Sequence, residues 1–261
     1  MGKSKGANRF ANLEISAIQP DAGTRSGAPV RDVAFYMREG LARELAGEHE
    51  KALTNYSAAL GEDPLHIEAW TRQLWMLLYL GEAAEAVVWA NKALQTYPRD
   101  PDILSLKALA QWRCGFAKEA RELNDAALSA TRESANVWLA RGEMQAAADN
   151  KSANACFKHA AAAPGETGLA EMRAGDILLL IRKYAEAIPF CRAATVRFHD
   201  SSWAWYIYGL AQRGVGRDEY ARAAFMRAHN LSPRDSRYRA ALKRRRSWLA
   251  RAREWLFGNR S

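Results

Sequence analysis

Cysteine is scarce in this chain of 261 residues, and what there is does not cluster. Cys114, Cys156 and Cys191 are the only three, with no CxxC spacing, which excludes a zinc ribbon or a dithiol redox motif. An odd count points to reduced, buried thiols in a cytosol. The five histidines, His49, His66, His159, His199 and His229, lack metal-ligand spacing, so neither metal nor cofactor is expected. There is no phosphate-cradling glycine loop, no nucleophile elbow and no clustered acid–base set. The expectation is therefore no enzyme and no small-molecule substrate. No apolar run approaches the ~20 residues of a membrane span. No stretch shows sustained strand alternation with turn dipeptides. No apolar core follows Lys3 and Lys5, so no secretory leader is expected, and Gly6 stands where a myristoylation signal wants Ser or Thr. The expected location is cytoplasmic, with peripheral membrane association left open by the C-terminal segment discussed below.

What is present is a beat of 34 residues from about Val33 to Asp235. Shifted by one period, Ala52 falls on Ala86, Ala59 on Ala93 and Pro64 on Pro98. Ala221, Phe225, Ala228 and Pro233 restore the same frame near the C-terminus. A fixed period of this length means one helical hairpin copied and stacked, each copy covering its neighbour's apolar face. Six copies start at Val33, Ile67, Pro101, Ala135, Gly168 and Ser202. Within each, position 4 carries Tyr36, Trp70, Leu104, Trp138, Glu171 and Trp205. Position 8 carries Gly40, Leu74, Ala108, Gly142, Gly175 and Gly209. Position 20 is alanine throughout: Ala52, Ala86, Ala120, Ala153, Ala187 and Ala221. The fourth copy is one residue short between Gly142 and Ala153.

This pattern resembles the tetratricopeptide repeat family over roughly three quarters of the chain. Glu171 at position 4 departs most from it, and only three copies keep the proline at position 32. The resemblance implies an all-α, right-handed helical-hairpin solenoid of about six repeats and a role in holding other proteins; it is nearly silent on the partner. Small residues at positions 8, 20 and 27 have a steric reason, since they let neighbouring helix backbones approach while large side chains fill the gaps. Pro189 falls inside the second helix of the fifth copy and is expected to bend it.

The net charge of +9 is unevenly spread. Residues 33–233 hold 23 Lys and Arg against 24 Asp and Glu, whereas residues 234–261 hold ten against two. The organisation expected is an N-terminal extension over 1–32, six repeats over 33–235 and a basic C-terminal helix over 236–261. That last segment patterns as one amphipathic helix, with Tyr238, Leu242, Leu249, Ala252 and Leu256 on one face. One reading is the polar-faced cap that repeat arrays need. The other is an anionic contact made by Lys243, Arg244, Arg246, Arg251 and Arg253, with Trp248 and Trp255 as apolar anchors. Its partner would be an acidic protein, an anionic membrane surface or nucleic acid, or the tail would enter the groove of a second copy and produce self-assembly.

The segment from Gln19 to Pro29 has linker composition, but Phe10, Leu13, Ile15 and Ile18 precede it. These apolar residues fit docking on the chain's own array or on a partner, and high effective concentration favours the former.

In the family, positions 2, 5, 9 and 12 of each first helix line the concave face. By that resemblance the groove holds Met37, Leu41, Trp75, Leu78, Leu109, Trp112, Leu139, Leu169, Met172, Leu179, Trp203, Tyr206 and Leu210. It also holds Glu44, Glu68, Asp102, Glu143 and Asp176, with Arg213 as its one base. The Lys and Asn clamp of chaperone-tail-binding members is missing, because Met37 and Leu41 stand in the first copy and Asp102 and Leu106 in the third. The implied ligand is an apolar or basic-amphipathic protein segment. Two function classes follow: a scaffold or adaptor working through the groove, and a peripheral membrane- or nucleic-acid-associated assembly factor working through the tail.

Overall fold

The computed structural model describes residues 31–130, 134–148, 152–164 and 168–243. Among them are thirteen helices and no strand. They fall into two compact units, Met1–Ala170 and Glu171–Ser261, a division that the uniform repeat does not announce. The N-terminal extension up to residue 30 and the tail beyond Lys243 lie outside the described residues.

The first unit contains four hairpins. They are α1 (Val33–Leu45) with α2 (His49–Glu62), α3 (Ile67–Tyr79) with α4 (Ala83–Thr96), α5 (Pro101–Arg113) with α6 (Ala117–Leu128), and α7 (Ala135–Ala147) with α8 (Ala153–Ala162). From α1 to α8 each helix packs on the next, and the first helices of adjacent hairpins also touch, α3 on α5 and α5 on α7. The second unit contains most of α9 (Leu169–Leu180), then α10 (Tyr184–Arg197), α11 (Ser202–Gly214), α12 (Asp218–Leu231) and a short α13 (Ser236–Lys243) packed on α12.

First and second helices of a hairpin begin differently. First helices start at a side-chain cap: Asp32 accepts from Phe35 N, Asp100 from Asp102 N and Ile103 N, and Ser201 from Ala204 N. Such a cap satisfies amide donors that the first turn leaves without partners. Second helices have no side-chain cap and follow directly from a reversal at repeat position 15. That position is left-handed in the five hairpins whose reversal is described: Gly47, Gly81, Gly115, Arg182 and Gly216 have φ of 72°, 80°, 91°, 62° and 80°. Paired bonds such as Gly81 N to Leu78 O and Glu82 N to Leu77 O complete the reversal by satisfying the last carbonyls of the preceding helix. Arg182 is the one non-glycine among the described residues with positive φ.

Positions 8 and 24 set the approach within each hairpin. A Cβ added to Gly40, Gly142 or Gly209 would lie 2.5, 2.6 or 2.5 Å from the ring of Tyr56, Phe157 or Phe225. The second hairpin exchanges the sizes, with Leu74 at position 8 and Ala90 at 24, both buried. The fifth is smaller, with Gly175 against the Cys191 Sγ. Every alanine at position 20 is buried, as the close approach requires. Pro189 sits at an exposed position, and α10 continues past it to Arg197.

Candidate functional site

The expected groove is closed through the middle of the first unit. Trp75 Nε1 on α3 donates to Asn136 Oδ1 on α7 at 2.8 Å. Asn136 Nδ2 donates in turn to Asp102 Oδ1 on α5 at 2.7 Å, and the Ser134 hydroxyl donates to the same oxygen. Arg113 reaches from α5 to both oxygens of Glu143 on α7, at 3.0 and 2.8 Å, while its Nη1 donates to the Leu78 carbonyl at 3.1 Å. First helices of three successive hairpins are thus bonded directly to one another. Trp75, Leu78, Leu109 and Leu139 are accordingly interior, none more than 3% exposed. In the second unit Met172 is likewise fully buried. These five side chains are core; an approaching segment does not reach them in this arrangement.

Met37, Leu41 and Trp112 in the first unit, and Trp203, Tyr206 and Leu210 in the second, are half-buried. Arg121 lies 5.4 Å over the Trp112 ring. A cleft of about 240 Å³ opens between α6 and α7, lined by Arg121, Asn124, Asp125, Arg141, Met144, Gln145 and Ala148, with Arg141 bonded to Asp125 at its edge.

The acidic character expected of the groove is largely consumed by bonds within the chain. Glu44 is fully buried, accepting from Tyr56 OH at 2.8 Å and from Arg72 Nη1 at 3.1 Å. Arg72 also reaches Glu68 at 3.2 Å, and Glu143 is held by Arg113. Neither Arg72 nor Arg113 stands at a groove position, so counting charges by repeat position misses both neutralising bases. Asn136 does stand at position 2, one period after Asp102; that polar pair was the legible signal.

In the second unit the exposed end is built around α11. Trp203 Nε1 donates to Asp176 Oδ2 at 3.0 Å, and its ring centroid lies 5.5 Å from that of Tyr206. The Tyr206 ring lies 5.1 Å from that of Tyr238 of α13, tilted by 53°, and the Tyr238 hydroxyl donates to Ser202 Oγ at 3.3 Å. Leu210 and Leu242 complete the apolar contact with Phe225 and Ala241. Arg213, the one base expected in the groove, donates to the Ala241 carbonyl at 2.6 Å and covers the Phe225 ring at 4.2 Å. Arg237 lies 5.4 Å over the Trp203 ring and forms a fork with Asp235. Burial pushes the Asp235 carboxyl up, but its hydrogen bonds to Arg237 outweigh this and hold it below the usual range. Burial pushes the Tyr238 hydroxyl up to about 12. The first stretch of the basic segment is α13, packed on α12 through Ala241 and Leu242. Lys243 is exposed at its end, while Arg244, Arg246, Arg251, Arg253, Trp248 and Trp255 lie outside the described residues.

No family model matches the chain. No curated protein matches it either. Among solved structures it is similar to the APC/C hetero-tetramer Cut9–Hcn1, with 14% identity and a TM-score of 0.49 over 82% of this chain and 43% of that one. It is similar to PilW, a type IV pilus biogenesis factor, with 16% identity and a TM-score of 0.48 over 81% and 98% of the two chains. A thermophilic TPR protein of Thermus thermophilus shows 17% identity and a TM-score of 0.46 over 80% and 98%. The chain thus spans less than half the length of the first of these. None of the described helices is long and apolar enough to cross a membrane.

Proposed function

We propose that this chain is a non-catalytic scaffold or adaptor that binds an apolar or amphipathic segment of another protein. The contact uses the half-buried groove positions of the first unit, Met37, Leu41 and Trp112; Trp203, Tyr206 and Leu210 are a separate half-buried set on the second unit. The observation that carries this reading is the half-exposure of Met37, Leu41 and Trp112 within the first unit, whose groove carboxylates Glu44 and Glu143 are already engaged within the chain. Aromatic anchors of this type dominate protein interfaces. Because Glu44, Glu68 and Glu143 have their own arginine partners, apolar contact rather than attraction of basic residues selects the ligand. Three free cysteines, two of them buried, agree with a reducing compartment such as the cytoplasm. The test is a photocrosslinking residue placed at Met37, Trp112 or Lys118 in the intact chain. Partner adducts from Met37 and Trp112 but not from exposed Lys118 are expected; equal yields from all three would remove the groove as the site.

A second reading has its own support. Charge divides by compact unit: Glu171–Ser261 holds 19 Lys and Arg against 8 Asp and Glu, net +11, while Met1–Ala170 is net −2. The chain would then act as an assembly factor peripheral to an anionic surface, reached through the basic segment after α13.

A further inference from the structure

We infer that the second unit carries an anionic-lipid contact on the outward stripes of α10 and α12, beyond the basic C-terminal segment. This deepens the second reading above and rests on it. The sequence places the positive charge of this region in its last residues, but the structure shows further bases displayed before them. Arg192 and Arg197 on α10, and Arg222 and Arg227 on α12, are all exposed. The two helices approach at one end, where Arg227 Nη2 on α12 lies 3.9 Å from Asp200 Oδ1 just past the end of α10. Among the described residues no carboxylate lies within ion-pair distance of Arg192, Arg197 or Arg222. Several exposed bases of the first unit are instead paired, as Lys51 with Glu48 and Lys118 with Glu122. Arg192, Arg197 and Arg222, uncompensated on a unit of net +11, attract a polyanion.

The residues between the arginines decide which polyanion. Val196 is 73% exposed and Met226 49% exposed, and each is large and apolar. Val196 follows Arg192 by four positions and Met226 follows Arg222 by four, so each apolar group stands beside a guanidinium on the same helix face. Val196 and Met226, the groups beside the arginines, cannot stack on bases as a nucleic-acid platform requires, which leaves Tyr220 as the one exposed aromatic on these two helices. They can enter the boundary between headgroups and acyl chains while the arginines hold phosphates. Tyr220, 65% exposed, suits the same headgroup layer. A few arginines and two aliphatic groups bind a membrane reversibly at best, and stable attachment takes a second element.

The test is sedimentation of the full chain with vesicles of phosphatidylcholine alone or mixed equally with phosphatidylserine. Binding only to the mixed vesicles is expected. Arg192→Glu, Arg197→Glu and Arg222→Glu together should weaken it at least about tenfold, given the contribution of each basic residue near an anionic surface. Val196→Ser with Met226→Ser should weaken it severalfold, and circular dichroism should match the parent in both variants. A companion full-length variant carries Gln at Arg244, Arg246, Arg251 and Arg253. If that variant loses binding and the α10/α12 variant does not, the tail reading stands and this surface falls. If the parent ignores both vesicles, both fall. If the parent binds duplex DNA rather than vesicles, and the triple variant does not, the lipid assignment is overturned in favour of nucleic acid.

Discussion

Trp75 and Asn136, separated by 61 positions in the chain, share a buried 2.8 Å hydrogen bond that joins the second hairpin to the fourth. Trp75 is 1% exposed and Asn136 9%, so neither partner can turn to water when the other is removed. Asn136→Leu should therefore cost about 1–3 kcal/mol, the penalty for leaving a buried donor without an acceptor. Combined with Trp75→Phe, it should cost less than the sum of the two single changes. A double-mutant cycle by urea denaturation measures this coupling; simple additivity would show that the bond does not hold the hairpins together.

Glycine at position 8 is a packing requirement, as it is at Gly214, where a Cβ would lie 2.1 Å from the Tyr184 ring, whereas Gly61 is not. Gly40→Ala sets a Cβ 2.5 Å from a Tyr56 ring that is fully buried and bonded to Glu44. It should destabilise by about 1–3 kcal/mol, the range for overpacking a filled core. Gly61, inside α2, has open space where a Cβ would stand, with nothing within 4 Å. Gly61→Ala should stabilise by roughly 0.5–1 kcal/mol through lower backbone entropy in the unfolded chain. Opposite signs in thermal unfolding check the pair.

Arg182 takes the left-handed position that glycine occupies in the other four described reversals. Its side chain strains against the following carbonyl at a cost of about 1 kcal/mol or slightly more. Arg182→Gly should raise stability by about 1 kcal/mol, offset in part by the flexibility glycine adds to the unfolded state. Gly216→Ala, at φ of 80°, should do the reverse. Equal melting temperatures for parent and Arg182→Gly would count against this account of the reversal.

Trp70 on α3 is buried, and its Nε1 donates to the Pro64 carbonyl at 2.9 Å. Trp205 repeats the bond with the His199 carbonyl at 2.9 Å but is half-buried. Trp70→Ala should cost about 3–5 kcal/mol. Trp205→Ala should cost less, because its ring leaves water incompletely. Denaturant midpoints order the two.

The α13 packing should weaken at both pH extremes. In alkali the unfolded tyrosine ionises near its ordinary value of 10.0, whereas folded Tyr238 keeps its proton to about 12. The folded state then binds more protons, so stability falls as pH rises through that window, by up to roughly 2–3 kcal/mol. Tyr238→Phe should flatten the fall. In acid, Asp235 has the opposite sign: its folded value is depressed, so its contribution is present above 3.8 and lost as pH drops through the folded value. Urea titrations across pH for parent and Tyr238→Phe, read by fluorescence, test both limbs.

By itself the sequence determined the hairpins. Small residues at positions 8 and 20, recurring every 34 residues, specify where helix pairs meet, because only glycine, alanine or a compensating exchange such as Leu74 with Ala90 permits that approach. It also determined where the first helices start, since Asp32, Asp100, Ser134 and Ser201 carry their own capping oxygens. Tertiary structure alone decided which groove positions stay open. Trp75, Leu109 and Leu139 carry the same periodic signature as Trp112 and Tyr206, yet the first three are core and the last two are accessible. Around the first three, Asn136, Asp102 and Arg113 bond α3, α5 and α7 to one another across hairpins. Periodicity within a hairpin reports which face a side chain takes; it holds no information about what lies opposite that face two hairpins away.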